Sequence, residues 1–167
     1  RDITRWYTPA ENKYVLYMTP DADLDKIPGA KAYLEDNREE LESRYCVKQG
    51  KKWFQLARHR PGIFAREKVV TPDICYYNNF FHDKDTEFHA LNSAYVLYAD
   101  DLANEYLVGI LNSDAVQFYM RRTAPQYGND YLRYVTSYLF EIPIPDPESN
   151  NDELVSTVKD TADSLRE

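Results

Sequence analysis

A chain of 167 residues with 43% hydrophobic content and 15 tyrosines has enough apolar material for one packed domain and does not read as a disordered tail. Its net charge of −8, from 28 acidic against 20 basic residues, argues against a uniformly basic surface, and no apolar run approaches the length of a membrane span. Cys46 and Cys75 lack a CxxC or metal-ligand spacing, so free thiols in a cytoplasmic protein are expected. With no initiator Met, no signal peptide and Arg1 starting in mid-pattern, the chain reads as a fragment of a larger protein.

In chain order, Tyr14-Val15-Leu16-Tyr17-Met18 has strand composition and ends at the turn signal Thr19-Pro20. Pro28 suits the first turn of a helix over roughly Gly29 to Arg44, with Ala32, Leu34 and Leu41 as candidate core positions. Trp53–Leu56 reads as a second strand and Arg58-His59-Arg60-Pro61-Gly62 as a basic turn. Lys68–Val70 is a strand that Thr71-Pro72 should stop, Ile74–Tyr77 another, and Ala94–Tyr98 a further one after the polar loop Asn78–His89. Leu102, Tyr106, Leu107, Ile110 and Leu111 recur at helical spacing. Asn112-Ser113 interrupts that pattern, and Ala115, Val116, Phe118 and Tyr119 resume an apolar face.

A polar loop, Thr123 to Arg133, then leads to Ile142-Pro143-Ile144-Pro145, where each proline holds its predecessor extended. A loop of about ten residues pinned between packed elements is more often functional than idle. Glu153–Leu165 closes the chain as an amphipathic helix, with Leu154, Val155, Val158, Ala162 and Leu165 on one side. The expectation is α+β: a single domain with a mostly antiparallel sheet, two central helices and a C-terminal amphipathic helix. The domain is expected over residues 1–147, with 148–167 starting a linker or coiled-coil segment.

Chemistry is sparse. His82-Asp83-Lys84-Asp85-Thr86-Glu87-Phe88-His89 offers ligand types without a zinc or calcium spacing, so a solvated loop is the expectation and no metal is assigned. Glu11-Asn12-Lys13 resembles a nuclease ExK element only as a chance tripeptide. No Asn-Pro-Pro-Tyr, Walker loop, GxGxxG or nucleophile elbow occurs, so catalysis within the chain has no support.

Mapping the charge is more informative. Arg44 to Lys68 holds eight basic residues and one acid, a local +7 inside a chain of −8. Lys51, Lys52, Arg58, His59, Arg60, Arg66 and Lys68 are therefore candidate phosphate or base-edge contacts. Gln126, Asn129 and Arg133 of the polar loop add amides and a guanidinium that can pair with base edges. The bland alternative is a solvated positive face neutralised by the acidic helix at Glu35–Glu42.

Several landmarks in order resemble the TaqI-like C-terminal specificity domain, the target recognition domain of adenine-specific restriction-modification methyltransferases. They are Arg1-Asp2-Ile3-Thr4-Arg5-Trp6, Tyr33-Leu34 through Leu41-Glu42-Ser43-Arg44, Trp53-Phe54-Gln55-Leu56, and Phe64 with Lys68–Ile74. The most specific are Tyr106-Leu107-Val108-Gly109-Ile110-Leu111-Asn112-Ser113, then Phe118-Tyr119, then Ile142-Pro143-Ile144-Pro145. The resemblance covers nearly the whole chain up to Pro147. It implies a non-catalytic module that reads a short double-stranded DNA site for an attached methyltransferase domain, in some enzymes with an endonuclease. S-adenosylmethionine would then belong to that parent domain, with no cofactor in the fragment and no membrane partner. Base-reading residues of such domains vary with their target, so none transfers by motif. The competing expectation is a protein-interaction module using the apolar faces of Tyr106–Tyr119 and Glu153–Leu165.

Overall fold

The computed structural model describes residues 3–7, 14–60, 62–149 and 152–165. They fall into two compact units, one formed by Asn12–Ile63 and the other by Arg1–Glu11 with Phe64–Glu167. Glu11, Asn12 and Lys13, and Pro61 of the basic turn, lie outside the described residues.

The smaller unit is helical. Pro28 occupies the first turn of α1 (Pro28–Asp36), where its missing N–H costs nothing. The expected helix to Arg44 is instead broken at Asn37, whose side chain donates to the Tyr33 carbonyl (2.8 Å) and diverts the backbone. Two short helices follow, α2 (Arg38–Ser43) and α3 (Tyr45–Lys48). Arg38 spans the break, bonding Glu35 (3.0 Å) and Glu42 (2.8 Å), with its guanidinium 4.7 Å from the centre of the Trp53 ring.

Neither strand expected in this unit forms. At Trp53–Leu56 the chain turns: Gln55 N–H donates to the Lys52 carbonyl (3.1 Å), and the Gln55 side chain accepts from Lys52 N–H (3.1 Å). Arg44 then takes the carbonyls of Trp53 (2.6 Å) and Gln55 (3.0 Å) that a ladder would have used. Tyr14–Met18 meets this turn through one backbone bond, Leu56 N–H to Met18 carbonyl (3.0 Å). Trp53–Leu56 is buried or half-buried and the polar capture of its carbonyls decided against a sheet, whereas Tyr14, Val15 and Leu16 stay exposed.

The larger unit carries both sheets. β1 (Lys68–Pro72) is central in the first, flanked by β3 (Phe81–Asp83) and β4 (Ala94–Leu97), both antiparallel to it, with Val69 opposite His82 and Leu97. Thr71 and Pro72 do not stop this strand. They pair with Tyr95 and Ala94, and because β3 reaches only as far as Val70, Pro72 sits where the second neighbour is gone and no N–H is needed. The second sheet is β2 (Ile74–Cys75), β6 (Tyr131–Arg133) and β5 (Gln126–Tyr127), with β6 in the middle. The polar loop is thus a hairpin, turned through Gly128 (φ 64°) and Asp130 (φ 64°).

α4 (Asn104–Leu111) and α5 (Asp114–Thr123) are the two central helices, and Tyr106, Leu107, Val108, Leu111, Val116 and Met120 are buried. Phe118, expected on the apolar face, is instead 63% exposed. Asn112 and Ser113 join the helices for definite reasons. Ser113 caps α5 through the Val116 N–H (3.3 Å). Asn112, buried in the joint, accepts from Phe80 N–H (3.0 Å) and donates to the Phe80 carbonyl (2.8 Å), as a strand residue would.

After the short helix α6 (Thr136–Leu139), the proline segment is fastened by two phenols. Tyr119 of α5 donates to the Glu141 carbonyl (2.9 Å) and Tyr106 of α4 to that of Pro145 (3.1 Å). Ile142 is buried and Ile144 half-buried against the core. α7 (Asp152–Ser164), read from sequence as the start of a linker, lies against α4 where Gly109 leaves room for Val158. The side chain of Leu154 lies outside the described residues.

Candidate functional site

In the smaller unit the basic turn is exposed and its backbone is fixed. The Tyr17 hydroxyl donates to the Arg60 carbonyl (3.1 Å) and accepts from Arg60 N–H (3.1 Å), so one phenol holds both sides of the residue. Arg58 and Arg60 are exposed, and no carboxylate pairs with either among the described residues. His59 packs half-buried beside the Tyr17 ring (centres 5.5 Å apart). Lys52 lies over Phe54 (5.5 Å), and Lys51 donates to the Ala57 carbonyl (2.6 Å). The positive field is partly answered: hydrogen bonding from Thr19 first, then attraction to His59 and Lys52, holds the Asp21 carboxyl below its ordinary range. The helix acids Glu35 and Glu42 pair with Arg38, not with this turn.

The larger unit sorts the remaining candidates differently. Lys68 is wholly buried, ion-paired with Asp83 and donating to the Phe64 carbonyl (3.3 Å), so it belongs to the core and cannot touch a ligand at the surface. Its position in β1 directly opposite Asp83 of β3 explains this: a buried charge is tolerated only when paired. Arg66 is exposed but bonded to Asp100 (2.6 Å) over the Tyr98 ring (4.3 Å). Arg133 forms a fork on Asp73 (2.7 and 3.3 Å). Gln126 and Asn129 are exposed on the hairpin, the latter at its tip.

The solvated loop expected at His82–His89 holds only from Lys84 onward, and the stretch before it is largely buried. Asn78 is fully buried, bonded to Leu111, Gln117 and Tyr134, and His82 and Asp83 are buried in β3. Asp83 also accepts from Glu87 N–H (3.0 Å) and Phe88 N–H (3.1 Å), which closes the turn after the strand. His82 lies between Glu67 (Nε2–Oε1 2.5 Å) and Glu105 (Nδ1–Oε1 3.8 Å), while His89 stacks on Phe64 (4.6 Å) away from them. The two carboxylates face opposite ring nitrogens, and one ligand atom from each of Glu67, His82 and Glu105 lies within 4.8 Å of the others, a spacing that could hold a metal ion.

Sequence reasoning misses Tyr76, Tyr77, Arg121 and Arg122; Tyr131 is one of the three tyrosines it places in the polar loop as side chains able to stack on bases. Tyr76, Tyr77 and Tyr131 cluster at the surface, with ring centres 4.7 Å (Tyr76–Tyr77) and 6.0 Å (Tyr76–Tyr131) apart. Arg121 covers Tyr76 (4.9 Å) and Tyr77 (5.9 Å), and Arg122 covers Phe118 (5.1 Å). A signal existed: Arg121 and Arg122 have Gln117 and Phe118 one turn back, so no acid stands at salt-bridge spacing.

The family model described as TaqI-like C-terminal specificity domain matches residues 1–144. Similar proteins include the type II methyltransferase M.BstVI of Geobacillus stearothermophilus, 31% identical over 76% of this chain and 23% of that protein. M.BanIII of Aneurinibacillus aneurinilyticus is 28% identical over 80% of the chain and 24% of its own length. M.PaeR7I of Pseudomonas aeruginosa is 26% identical over 74% and 22%. The chain thus spans about a quarter of the length of these relatives.

Proposed function

The chain belongs to the TaqI-like C-terminal specificity domain family, and on that premise we infer that it is the DNA target recognition domain of a restriction-modification enzyme. It binds a short duplex site and presents it to an attached adenine-specific methyltransferase. An endonuclease in the same polypeptide is compatible with this role. The domain itself is non-catalytic, and its place is the cytoplasm; no helix of the described residues is long and apolar enough to cross a membrane. We take residues 1–147 as the recognition domain. S-adenosylmethionine is the methyl donor of the parent enzyme and belongs to its methyltransferase core, since this chain has neither Asn-Pro-Pro-Tyr nor a glycine-rich cofactor loop.

The observation that carries the reading is the family match over residues 1–144, which includes both polar turns proposed to meet the DNA. In these turns the chemistry fits base reading. Arg60 offers a guanidinium on a backbone fixed from both sides by Tyr17, and Asn129 offers an amide at a hairpin tip. Arginine pairs bidentately with guanine and asparagine with adenine, each good pair discriminating by roughly 1–3 kcal/mol. Arg58, Lys51, Lys52, His59 and Gln126 are assigned supporting contacts to phosphates and base edges. Arg66 and Arg133 join them only by giving up Asp100 and Asp73. The alternative role in protein interaction loses ground because the faces it would use meet each other: α7 packs on α4 at Gly109 and Val158.

The test is methylation by the full-length protein across a library of randomised sites. Arg60→Ala and Asn129→Ala should each relax selection at one base position while leaving nonspecific duplex binding nearly unchanged. Equal loss on every sequence would mean that these turns hold DNA without reading it. A full-length protein that binds no duplex would end the reading altogether.

A further inference from the structure

We propose that Arg121, Tyr76, Tyr77 and Tyr131 form a phosphodiester-binding platform that seats one DNA strand beside the recognition hairpin. The inference rests on the target-recognition reading and assigns to it a surface that no base-reading argument supplies.

Folding does not account for this surface. Tyr77 is 58% exposed and Tyr131 46%, and with Tyr127, which pairs with Tyr131 across the hairpin, they make a patch of large rings left in water. No hydrogen bond to the hydroxyls of Tyr76, Tyr77 or Tyr131 is found among the described residues. Three phenols near the core of this unit are engaged instead: Tyr106 to Pro145, Tyr119 to Glu141 and Tyr134 to Asn78.

The arginine differs from its neighbours in the same way. Arg66 and Arg133 are neutralised by Asp100 and Asp73, whereas Arg121 is held by rings, 4.9 Å from Tyr76 and 5.9 Å from Tyr77, with no carboxylate among the described residues. A cation at the last turn of α5 also offsets the helix dipole, but that explains neither the rings nor the missing acid. In a chain of net charge −8, an exposed guanidinium left without an acid and flattened on an aromatic shelf is matched to an outside anion. Guanidinium and phenol hydroxyls are the donors a phosphate oxygen takes, and tyrosine faces cover a deoxyribose. Tyr131 belongs to β6 of the hairpin whose turn carries Asn129, so a strand seated here runs past the proposed reading tip.

The prediction is a positional contact, indifferent to sequence. In the full-length protein, Arg121→Gln should lower affinity for a short random-sequence duplex about ten-fold or more. The slope of log K against log salt should shrink by about one, because one phosphate is no longer neutralised. Tyr131→Phe and Tyr77→Ala should weaken binding without changing which bases are preferred. Thermal melting of each variant checks folding, and Arg121→Lys, which restores the charge, should recover most of the slope. If wild-type protein binds duplex with a steep salt dependence and Arg121→Gln leaves both affinity and slope unchanged, the platform is refuted and the recognition role stands. If Arg121→Gln lowers the melting temperature of the full-length protein with DNA binding intact, the surface is a contact with the rest of the polypeptide, and the proposal also fails. A wild type that binds no duplex removes proposal and premise together.

Discussion

Asn112→Ala removes the amide that joins the α4–α5 junction to the loop before β3. Asn112 is 1% exposed and Phe80 is fully buried, so water cannot replace the missing partner. Phe80 N–H has Asn112 Oδ1 as its acceptor (3.0 Å) and would be left buried without one, a cost of about 1–3 kcal/mol. The Phe80 carbonyl loses Asn112 Nδ2 (2.8 Å) but keeps Trp6 N–H (3.1 Å), so that loss is the smaller one, about 0.5–1.5 kcal/mol. Together they come to about 2–4 kcal/mol, or a fall in melting temperature of roughly 5–15 °C for a chain of this size. Urea titration followed by circular dichroism measures it as a lower midpoint at unchanged slope. Asn112→Asp should fail comparably, because a carboxylate accepts from Phe80 N–H but has nothing to donate to the carbonyl. A change below about 0.5 kcal/mol in both variants would refute the claim that this amide substitutes for a strand partner.

Three further outcomes follow from packing and burial. Gly109→Ala would put a methyl group into Val158, so α7 should lift from α4, with a cost of about 1–3 kcal/mol and faster proteolysis at the C-terminal helix; unchanged protection would show that α7 contributes little. Ile142→Ala should cost about 2–4 kcal/mol and Ile144→Ala less, since only the former is buried, and equal losses in denaturant would contradict that ranking. Burial pushes the Cys75 thiol up to about 12, so at pH 8 a thiol reagent should react with Cys46 quickly and with Cys75 only after unfolding. Because the folded value is raised, the stabilising contribution of the neutral thiol is complete below pH 9. It is lost as pH rises from about 9 to about 12, and a Cys75→Ala variant that kept the full alkaline loss would assign it to another group.

What the sequence disclosed depended on whether a local signal decided the outcome. Helical spacing identified α4 and α5, and the serine after Asn112 is a capping residue whose effect is confined to one turn. The proline segment was readable because proline sets its own backbone. Trp53–Leu56 misled because strand composition says that a segment is half-buried, while another side chain, Arg44, decided where its carbonyls went; Tyr14–Met18 misled because its first three residues stay exposed despite their composition. Asn78–His89 misled for the opposite reason. Its polar residues look solvated, yet Asn78, His82 and Asp83 each find a partner far along the chain, Tyr134, Glu105 and Lys68. The same logic took Lys68 off the surface. The charge count near it was correct and could not say which cations were already spoken for.

That last distinction governs the reading of this acidic chain as a nucleic-acid binder. Total charge is a poor guide here because several acids are engaged locally: Glu35 of α1 and Glu42 of α2 by Arg38, Asp100 before α4 by Arg66, and Asp73 by Arg133 of β6. Exposed pairs of this kind add little stability, but each lowers the field that a distant phosphate feels. Among the exposed arginines of the described residues, those that remain without an acid are Arg58 and Arg60 in one unit and Arg121 and Arg122 in the other. Arg60 is held through its backbone by Tyr17, and Arg121 and Arg122 lie over the rings of Tyr76 and Phe118. A few cations kept without acids and fixed in place would give a binder with a shallow nonspecific affinity and a strong dependence on correct placement. Such a balance suits a domain whose task is to discriminate between DNA sites.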